Sequence, residues 1–382
     1  MNHFINPVIE TIQLSAIRDI SNKAAERTDV IDLSVGQPDL LTPDHIKSAG
    51  KRAIDENNTK YTDNAGIFEL RKSICRFLNQ KYDLDYRPED QIIVTNGATE
   101  ALDITFRTIL SRGDEVIIPA PAYVGYEPLI KLCGAEPVYV DTSKNRFEIN
   151  AQLIEQHINS RTRCIILNNP SNPTGYVIDR QDLKEIAELA RKYHLFIVSD
   201  EIYSELTFED TFVSAASFDC VKDQTILING LSKSHSMTGW RIGFVAGPEY
   251  LVNAIFKVHQ YCSTCASSIS QYAAIEALEN GLNDPVNMSS IYQQRRDFVF
   301  ERLQSMGLEV IKPKGAFYIF PKIDSRFSDS LTFSKELLLH EKVAVVPGSA
   351  FSVFGEGYVR LSYAASMKSL QEGMTRIVRF LR

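Results

Sequence analysis

The sequence lacks several features that would assign it to a large class of proteins. No apolar run approaches the roughly 18 residues of a membrane-spanning helix, and Ala316–Phe320 is typical of the runs present. The opening residues carry Glu10 and no long apolar segment, so we expect no secretory signal and a cytoplasmic protein. The net charge of −7 disfavours a general nucleic-acid binder, which needs a basic surface to neutralise phosphates.

Motifs for several common ligands are also absent. The sequence contains no GxGxxG dinucleotide motif, no GxxxxGK[ST] phosphate loop and no HExxH metal motif. Of its six cysteines, Cys262 and Cys265 form a CxxC pair. A zinc site needs a second pair, and a redox site needs a thioredoxin-like context. We therefore predict no metal site and interpret the cysteines as structural, while a redox role for the CxxC pair stays open.

Short apolar strands alternate with helices through the middle of the chain. The predicted strands are mostly apolar on both faces, as is typical of strands buried between helices: Gln91–Thr95, Glu115–Ile118, Pro137–Val140, Arg163–Leu167, Leu195–Ser199 and Thr225–Asn229. The predicted helices between them are Thr99–Leu110, Tyr126–Cys133, Gln152–His157 and Asp179–Tyr193. This alternation predicts an α/β fold with a mostly parallel sheet.

The end of the chain has a different pattern. Helices predicted at Tyr292–Met306 and Ser369–Leu381 enclose strands predicted at Ala316–Phe320, Val343–Val346 and Tyr358–Ala364, which favours a smaller α+β domain. We therefore predict three units: an N-terminal arm that joins the small domain (1–44), a large α/β domain (45–285) and a small C-terminal α+β domain (286–382).

Residues that follow the predicted strands are informative, because parallel sheets bind ligands beyond the carboxyl ends of their strands. Asn96–Glu100 brings small residues to a helix start, where free N–H groups and the helix dipole suit a phosphate. Two prolines and a glycine stiffen Asn168–Gly175. Asn172 in this segment could donate an amide hydrogen to a ligand oxygen, although turn formation alone would also explain the pattern.

Charged groups follow two further strands at the same edge. Asp200 ends a buried strand, where a carboxylate is costly unless backbone amides or a cationic ligand nitrogen pair with it. Lys233 lies in a loop rich in serine and glycine, and Arg241 follows eight residues later. A desolvated lysine near other cations has an amine activated for Schiff-base chemistry. Four separate segments thus predict one ligand site.

These segments resemble the fold-type I pyridoxal-phosphate enzymes, in particular the class I and II aminotransferases. The matching segments occur in family order and span nearly the whole chain: YTDNAG from Tyr61, TNGATEAL from Thr95, PAYVGY from Pro121, NNPSNPTG from Asn168, SDEIYSEL from Ser199, SKSHSMTGWRIG from Ser232 and YVRLSYA from Tyr358. The resemblance implies an enzyme that moves an amino group between an amino acid and a 2-oxo acid with pyridoxal 5'-phosphate (PLP).

The resemblance also implies the roles of individual residues toward the cofactor. Lys233 forms the Schiff-base link and acts in catalysis with Asp200 and Tyr203. The implied cofactor contacts are the ring stack of Tyr123, Asp200 at the pyridine nitrogen, Asn172 and Tyr203 at the phenolic oxygen, and Gly97, Ala98, Thr99, Ser232 and Arg241 at the phosphate.

Substrate and subunit contacts are implied in the same way. Arg360 clamps the α-carboxylate, and Gly36 and Asn172 line the substrate pocket. Tyr61 reaches the phosphate of a neighbouring subunit, which implies a homodimer with shared active sites. The expected acceptor is 2-oxoglutarate, but the donor stays open among acetyl-diaminopimelate, aromatic and aspartate-like substrates. The sequence does not place the pocket residues of the second subunit or of the arm near Ile12–Ile17.

Other interpretations of these residues remain. A C–S β-lyase of the same fold shares the cofactor residues, and only its products separate it from a transaminase. An aminotransferase-like transcription regulator needs an added helix-turn-helix domain, which we do not expect because the chain begins with the enzyme-like arm. Outside this pattern, Tyr61 and Tyr123 would be interpreted as packing aromatics and Arg360 as a surface residue of a strand. We expect no nucleic-acid or membrane partner.

Overall fold

The computed structural model describes residues 5–14, 24 and 27–382. Residues 15–17 of the predicted substrate-lining arm therefore lie outside the described part. Within the described part, no helix combines the length and the apolar character needed to cross a bilayer.

A seven-stranded sheet forms the centre of the molecule. Its strands, in spatial order, are Ile92–Thr95, Gly243–Ala246, Thr225–Gly230, Phe196–Asp200, Thr162–Asn168, Glu115–Ala120 and Glu136–Asp141. Six of the seven run parallel, and Gly243–Ala246 runs antiparallel to both of its neighbours. The α/β prediction is confirmed, and each of the six predicted strands lies within two residues of its predicted bounds.

Helices cover both faces of this sheet, and adjacent strand residues face opposite layers. Ile92 and Val94 pack with the helix Phe68–Tyr82, whereas Ile93 packs with the helix Ala98–Ile109. The described helices before residue 284 are Pro7–Glu10, Asp44–Asp55, Phe68–Tyr82, Ala98–Ile109, Tyr126–Leu132, Ala151–Glu155, Arg180–Lys192, Leu231–Ser234, Glu249–Cys262 and Ser268–Asn280. Short 3₁₀ turns lie at Ser143–Asn145, Ala215–Ser217, Asp219–Gln224, Gly348–Ala350 and Val353–Gly355.

The C-terminal part contains a second, smaller set of strands. Tyr318–Ile319, Val346–Pro347 and Val359–Ser362 form an antiparallel sheet with Val359–Ser362 in the middle. Ile31–Asp32 pairs in parallel with Val343–Ala344, so residues near position 31 join this part. The helices here are Asp284–Ser305, Ser330–Glu341 and Met367–Leu381.

The strands of the small sheet are shorter than the sequence predicts. The five-residue prediction Ala316–Phe320 becomes the two-residue strand Tyr318–Ile319, and Val343–Val346 is divided into two strands with different partners. Apolar character extends beyond these strands because the flanking residues Ala316, Phe317 and Val345 are also buried. Burial alone therefore does not define where pairing stops.

Strand direction and register place the polar residues at one edge of the large sheet. Asn168 pairs with Asp200 at the carboxyl ends of neighbouring strands, and Asp200 lies level with Ile228 of the next strand. Gly230 ends that strand, and the short helix carrying Lys233 follows at once. Segments that are far apart in sequence therefore meet beyond one sheet edge.

Candidate active site

A cavity of about 310 Å³ opens at this sheet edge and is closed on its other side by the small sheet. All the predicted site residues except Gly97 and Tyr61 line it. Six lining residues were not predicted: Gln37, Leu102, Asn168, Ile202, Thr238 and Tyr318.

One corner of the cavity is built for an anion. The helix Ala98–Ile109 begins after Gly97, which has a φ of +78°, a backbone conformation that favours glycine. No side chain caps the first N–H groups of this helix. Arg241 lies directly against this turn: a Cβ at position 97 would sit 2.5 Å from Arg241 Nη2. Gly97 therefore contributes through its backbone shape rather than as a cavity wall. Exposed helix N–H groups beside a guanidinium suit a phosphate.

Lys233 lies near the middle of the cavity wall. Its Nζ donates to the carbonyl oxygen of Gly36 at 2.6 Å. Burial lowers the pKa of the Lys233 amine to about 8, the cations Arg360 and Arg241 act in the same direction, and Asp200 opposes them. A larger share of this amine is therefore neutral, and so nucleophilic, near pH 7 than for an exposed lysine.

Asp200 is a buried carboxylate that accepts hydrogen bonds from two donors. Tyr126 donates to its Oδ2 at 2.6 Å, and the backbone N–H of Ile202 approaches its Oδ1 at 3.3 Å. Burial raises the Asp200 pKa to about 6, while these hydrogen bonds and Lys233 act in the opposite direction. A cationic group in the cavity would favour the ionised carboxylate further.

Arg360 is a buried guanidinium without a carboxylate partner among the described residues. Its Nη1 donates to Asn172 Oδ1 at 2.9 Å, its Nη2 donates to the Ser34 carbonyl at 2.6 Å, and its Nε has no described partner. The rings of Tyr318 and Phe351 lie 4.3 and 5.0 Å from its Cζ. A buried cation held only by neutral groups is ready to receive a ligand carboxylate.

The bond from Arg360 also orients Asn172. Because Asn172 Oδ1 accepts from Arg360, the side-chain nitrogen is the end left to donate to a ligand. The Asn172 backbone N–H donates to Asn168 Oδ1 at 2.8 Å, which fixes the loop on the strand below. Asn168 thus supports the site as well as lining it.

Three aromatic residues complete the walls. Tyr203 and Tyr318 face each other with hydroxyl oxygens 2.8 Å apart, and Tyr123 packs edge-on against Tyr126 with ring centroids 5.3 Å apart. Sequence reasoning missed Tyr126 and Tyr318. Tyr126 stands in the matched PAYVGY segment, at the start of a predicted helix near the sheet edge that carries Asp200. A buried tyrosine hydroxyl needs a hydrogen-bond partner, and this requirement could have linked Tyr126 to the site.

Two predicted features lie away from the cavity. Tyr61 is 83% exposed on the surface of this chain. Cys262 is exposed and Cys265 half-buried, and all six cysteines are free. The described residues contain no group of three or more His, Cys, Asp or Glu side chains arranged to hold a metal ion.

The family of the chain follows from comparison with known proteins. The family model of the class I and II aminotransferases matches residues 28–377, and the chain belongs to this family of enzymes. Members of this family are PLP enzymes.

Individual relatives are similar over their whole length. The chain is 53% identical to a probable N-acetyl-LL-diaminopimelate aminotransferase of Bacillus subtilis, covering 100% of this chain and 96% of that protein. It is 40% identical to an aromatic-amino-acid aminotransferase of Thermococcus litoralis, covering 98% and 97%. The structure of an aspartate aminotransferase from Thermus thermophilus, solved with maleate, superposes with a TM-score of 0.94 at 34% identity, covering 98% and 99%.

Proposed function

We propose that this aminotransferase holds PLP covalently on Lys233 and transfers the amino group of an amino acid to a 2-oxo acid, with 2-oxoglutarate as one acceptor. The observation that carries the proposal is the meeting of three charged groups at one cavity. These are the half-buried Lys233 amine with its lowered pKa, the buried Asp200 carboxylate and the buried Arg360 guanidinium, which has no carboxylate partner among the described residues.

The cavity fits the chemical groups of PLP. The corner formed by Ala98, Thr99, Ser232 and Arg241 suits the phosphate, and the carboxylate of Asp200 suits a protonated ring nitrogen. Tyr203 and Asn172 would donate to the phenolic oxygen, and Tyr123 would lie against the ring. When bound, PLP supplies an electron-withdrawing ring that stabilises negative charge at the substrate Cα.

The residues of the chain carry out the remaining work. Lys233 Nζ would take the proton from the substrate Cα as a general base and would deliver a proton to the neighbouring cofactor carbon as a general acid, with a pKa suited to both tasks. Asp200 keeps a proton on the ring nitrogen. Arg360 grips the substrate α-carboxylate with its planar guanidinium, which fixes the direction of the Cα–H bond.

For the amino donor, we propose N-acetyl-L,L-diaminopimelate, a substrate of lysine biosynthesis. The support is the 53% identical relative from Bacillus subtilis. Aromatic and aspartate-type donors are the alternatives, because relatives named for both are about 40% identical. A relative solved with maleate, a dicarboxylate, supports an acceptor with two carboxylates.

We also propose a cytoplasmic homodimer in which Tyr61 reaches the phosphate bound by the partner subunit. The support within this chain is that Tyr61 is an exposed aromatic outside its own cavity. The support for the proposed domain division at residues 44 and 285 is that the seven-stranded sheet lies wholly between these positions, whereas the strands of the two smaller sheets lie outside them.

Cofactor binding and turnover test this proposal separately. Purified protein incubated with PLP should gain visible absorbance, and borohydride reduction should fix the cofactor to the peptide containing Lys233. A panel of amino donors with 2-oxoglutarate should then yield glutamate, fastest with the acetylated diamino acid. Protein that takes up no PLP would overturn the proposal.

The competing functions give different products in the same panel. A β-lyase releases pyruvate from a sulfur amino acid without any 2-oxo acid acceptor. A regulator would bind DNA and leave the donors unchanged. Formation of glutamate in proportion to the consumed donor excludes both.

A further inference from the structure

Tyr318 joins the two walls of the cavity through one hydrogen bond. It lies in the small-sheet strand Tyr318–Ile319, is 1% exposed, and pairs with Ser362 of the strand that carries Arg360. Its hydroxyl oxygen lies 2.8 Å from that of Tyr203, which follows the large sheet. The two rings meet edge-on, with centroids 5.7 Å apart.

The position of the Tyr318 hydroxyl is fixed from other sides as well. The Arg360 guanidinium lies over its ring at 4.3 Å. A Cβ at position 36 would sit 2.5 Å from the hydroxyl oxygen, so the glycine there allows the close approach. The carbonyl of the same Gly36 accepts from Lys233. Tyr318 thus contacts the residues on both sides of the cavity.

The hydrogen bond between the two tyrosines has two possible directions. Each hydroxyl has one proton to donate. If Tyr203 gives its proton to a ligand oxygen in the cavity, the bond between the two hydroxyls must be donated by Tyr318. If Tyr203 donates to Tyr318 instead, it has no proton left for the ligand.

The surroundings favour donation by Tyr318. The Arg360 guanidinium lies 4.3 Å from the centroid of the Tyr318 ring, closer than Lys233 Nζ lies to the Tyr203 ring, at 5.9 Å. The nearer cation draws electron density from the Tyr318 hydroxyl and makes it the better donor. A chain of hydrogen bonds in one direction strengthens each of its members.

We propose that Tyr318 is a positioning residue that donates to Tyr203, so that Tyr203 donates its own proton to the phenolic oxygen of the bound cofactor. This inference rests on the proposed PLP function. It also links the carboxylate clamp to the cofactor, because Arg360 lies directly on the Tyr318 ring.

The pH midpoint of the visible absorbance of bound PLP tests the proposal. Tyr318→Phe should raise this midpoint by about half a pH unit or more, because a weaker bond from Tyr203 leaves the phenolic oxygen more basic. Tyr203→Phe should raise it further, and adding Tyr318→Phe to that variant should change nothing more. The matched control is Tyr363→Phe, which removes another buried hydroxyl, bonded to the Ala316 carbonyl, and should leave the midpoint unchanged.

A second substitution, which keeps both the ring and the hydroxyl of Tyr318, tests the inference even if the phenylalanine variant misfolds. Tyr318→3-fluorotyrosine makes the hydroxyl more acidic, so it should lower the midpoint. An unmoved midpoint in both variants, or shifts in the opposite directions, would overturn the inference. Wild-type protein that binds PLP and forms glutamate in the same experiment would show that the proposed function still stands.

Discussion

The two walls of the cavity hold their polar groups in different ways. On the large-sheet wall, Asp200 and Lys233 stand at or just after strand ends, where chain direction alone brings them together. On the small-sheet wall, Arg360 and Tyr318 stand within paired strands, so the pleat and register decide which way they point. The positions of Asp200 and Lys233 therefore depend on the segments that follow the strands. The positions of Arg360 and Tyr318 depend on the packing of the whole small sheet.

The largest expected effect is on the large-sheet wall. Lys233→Ala removes both the proposed covalent attachment and the proposed general base, so turnover should fall by about three orders of magnitude or more. Steady-state assays with the best donor measure this loss. The exposed lysine variant Lys222→Ala is the control and should keep wild-type turnover. Normal transamination by the Lys233 variant would refute the proposed role of this residue of the large-sheet wall.

The next effect concerns the small-sheet wall. Arg360→Lys keeps the positive charge but loses the planar pair of donors that bonds Asn172 and Ser34. We expect kcat/KM to fall by about a hundredfold, mainly through KM, because the proposed contact of Arg360 with the substrate carboxylate would be weakened. Arg379→Lys, on the exposed surface, should have no effect. An unchanged kcat/KM at position 360 would argue against the clamp.

A pH experiment measures the coupling between the walls. Only the neutral amine attacks the cofactor aldehyde, so the rate of PLP uptake by cofactor-free protein should rise with pH through about 8, the lowered pKa of Lys233. Arg360→Gln removes one of the cations that lower this pKa, so its midpoint should lie higher. Stopped-flow absorbance at a series of pH values measures both midpoints. Identical midpoints would mean that the small-sheet wall does not act on the lysine.

The smallest effect tests a buried group one residue beyond Asp200 that does not line the cavity. Glu201 Oε1 accepts from Ser199, Ser214 and Ala215, Oε2 has no described partner, and burial raises the Glu201 pKa to about 7. Because the folded state binds this proton more tightly than the unfolded chain, stability falls as pH rises from about 4.5 to 7.

Glu201→Gln removes that titration. The free energy of unfolding of the variant, relative to wild type, should therefore increase by roughly 2–3 kcal/mol between pH 5 and pH 8. Urea unfolding at the two pH values gives the difference. A difference that does not depend on pH would show that Glu201 is ionised in the folded protein throughout this range.

Sequence reasoning reached the two walls unequally. The end of a buried strand can be recognised in the sequence as a change from apolar to polar residues. Because parallel strands end at the same edge of a sheet, this change places Asp200 and Lys233 at one edge. The strand Gly243–Ala246 was missed, because four apolar residues after a glycine-rich loop carry no periodic signal. The arrangement of Tyr318 depends on its pairing with Ser362, which lies 44 residues later in the chain and leaves no local pattern. The proposed subunit contact of Tyr61 would depend on a second chain.

The lack of a carboxylate partner for Arg360 among the described residues has a practical consequence for handling the protein. A guanidinium that lines the cavity among neutral oxygens and rings should attract any small carboxylate that fits there. Storage in acetate, citrate or succinate should therefore raise the melting temperature of the cofactor-free protein and make those ions competitive inhibitors of the amino acid. Kinetic constants measured in chloride and in carboxylate buffers should then differ for the same preparation.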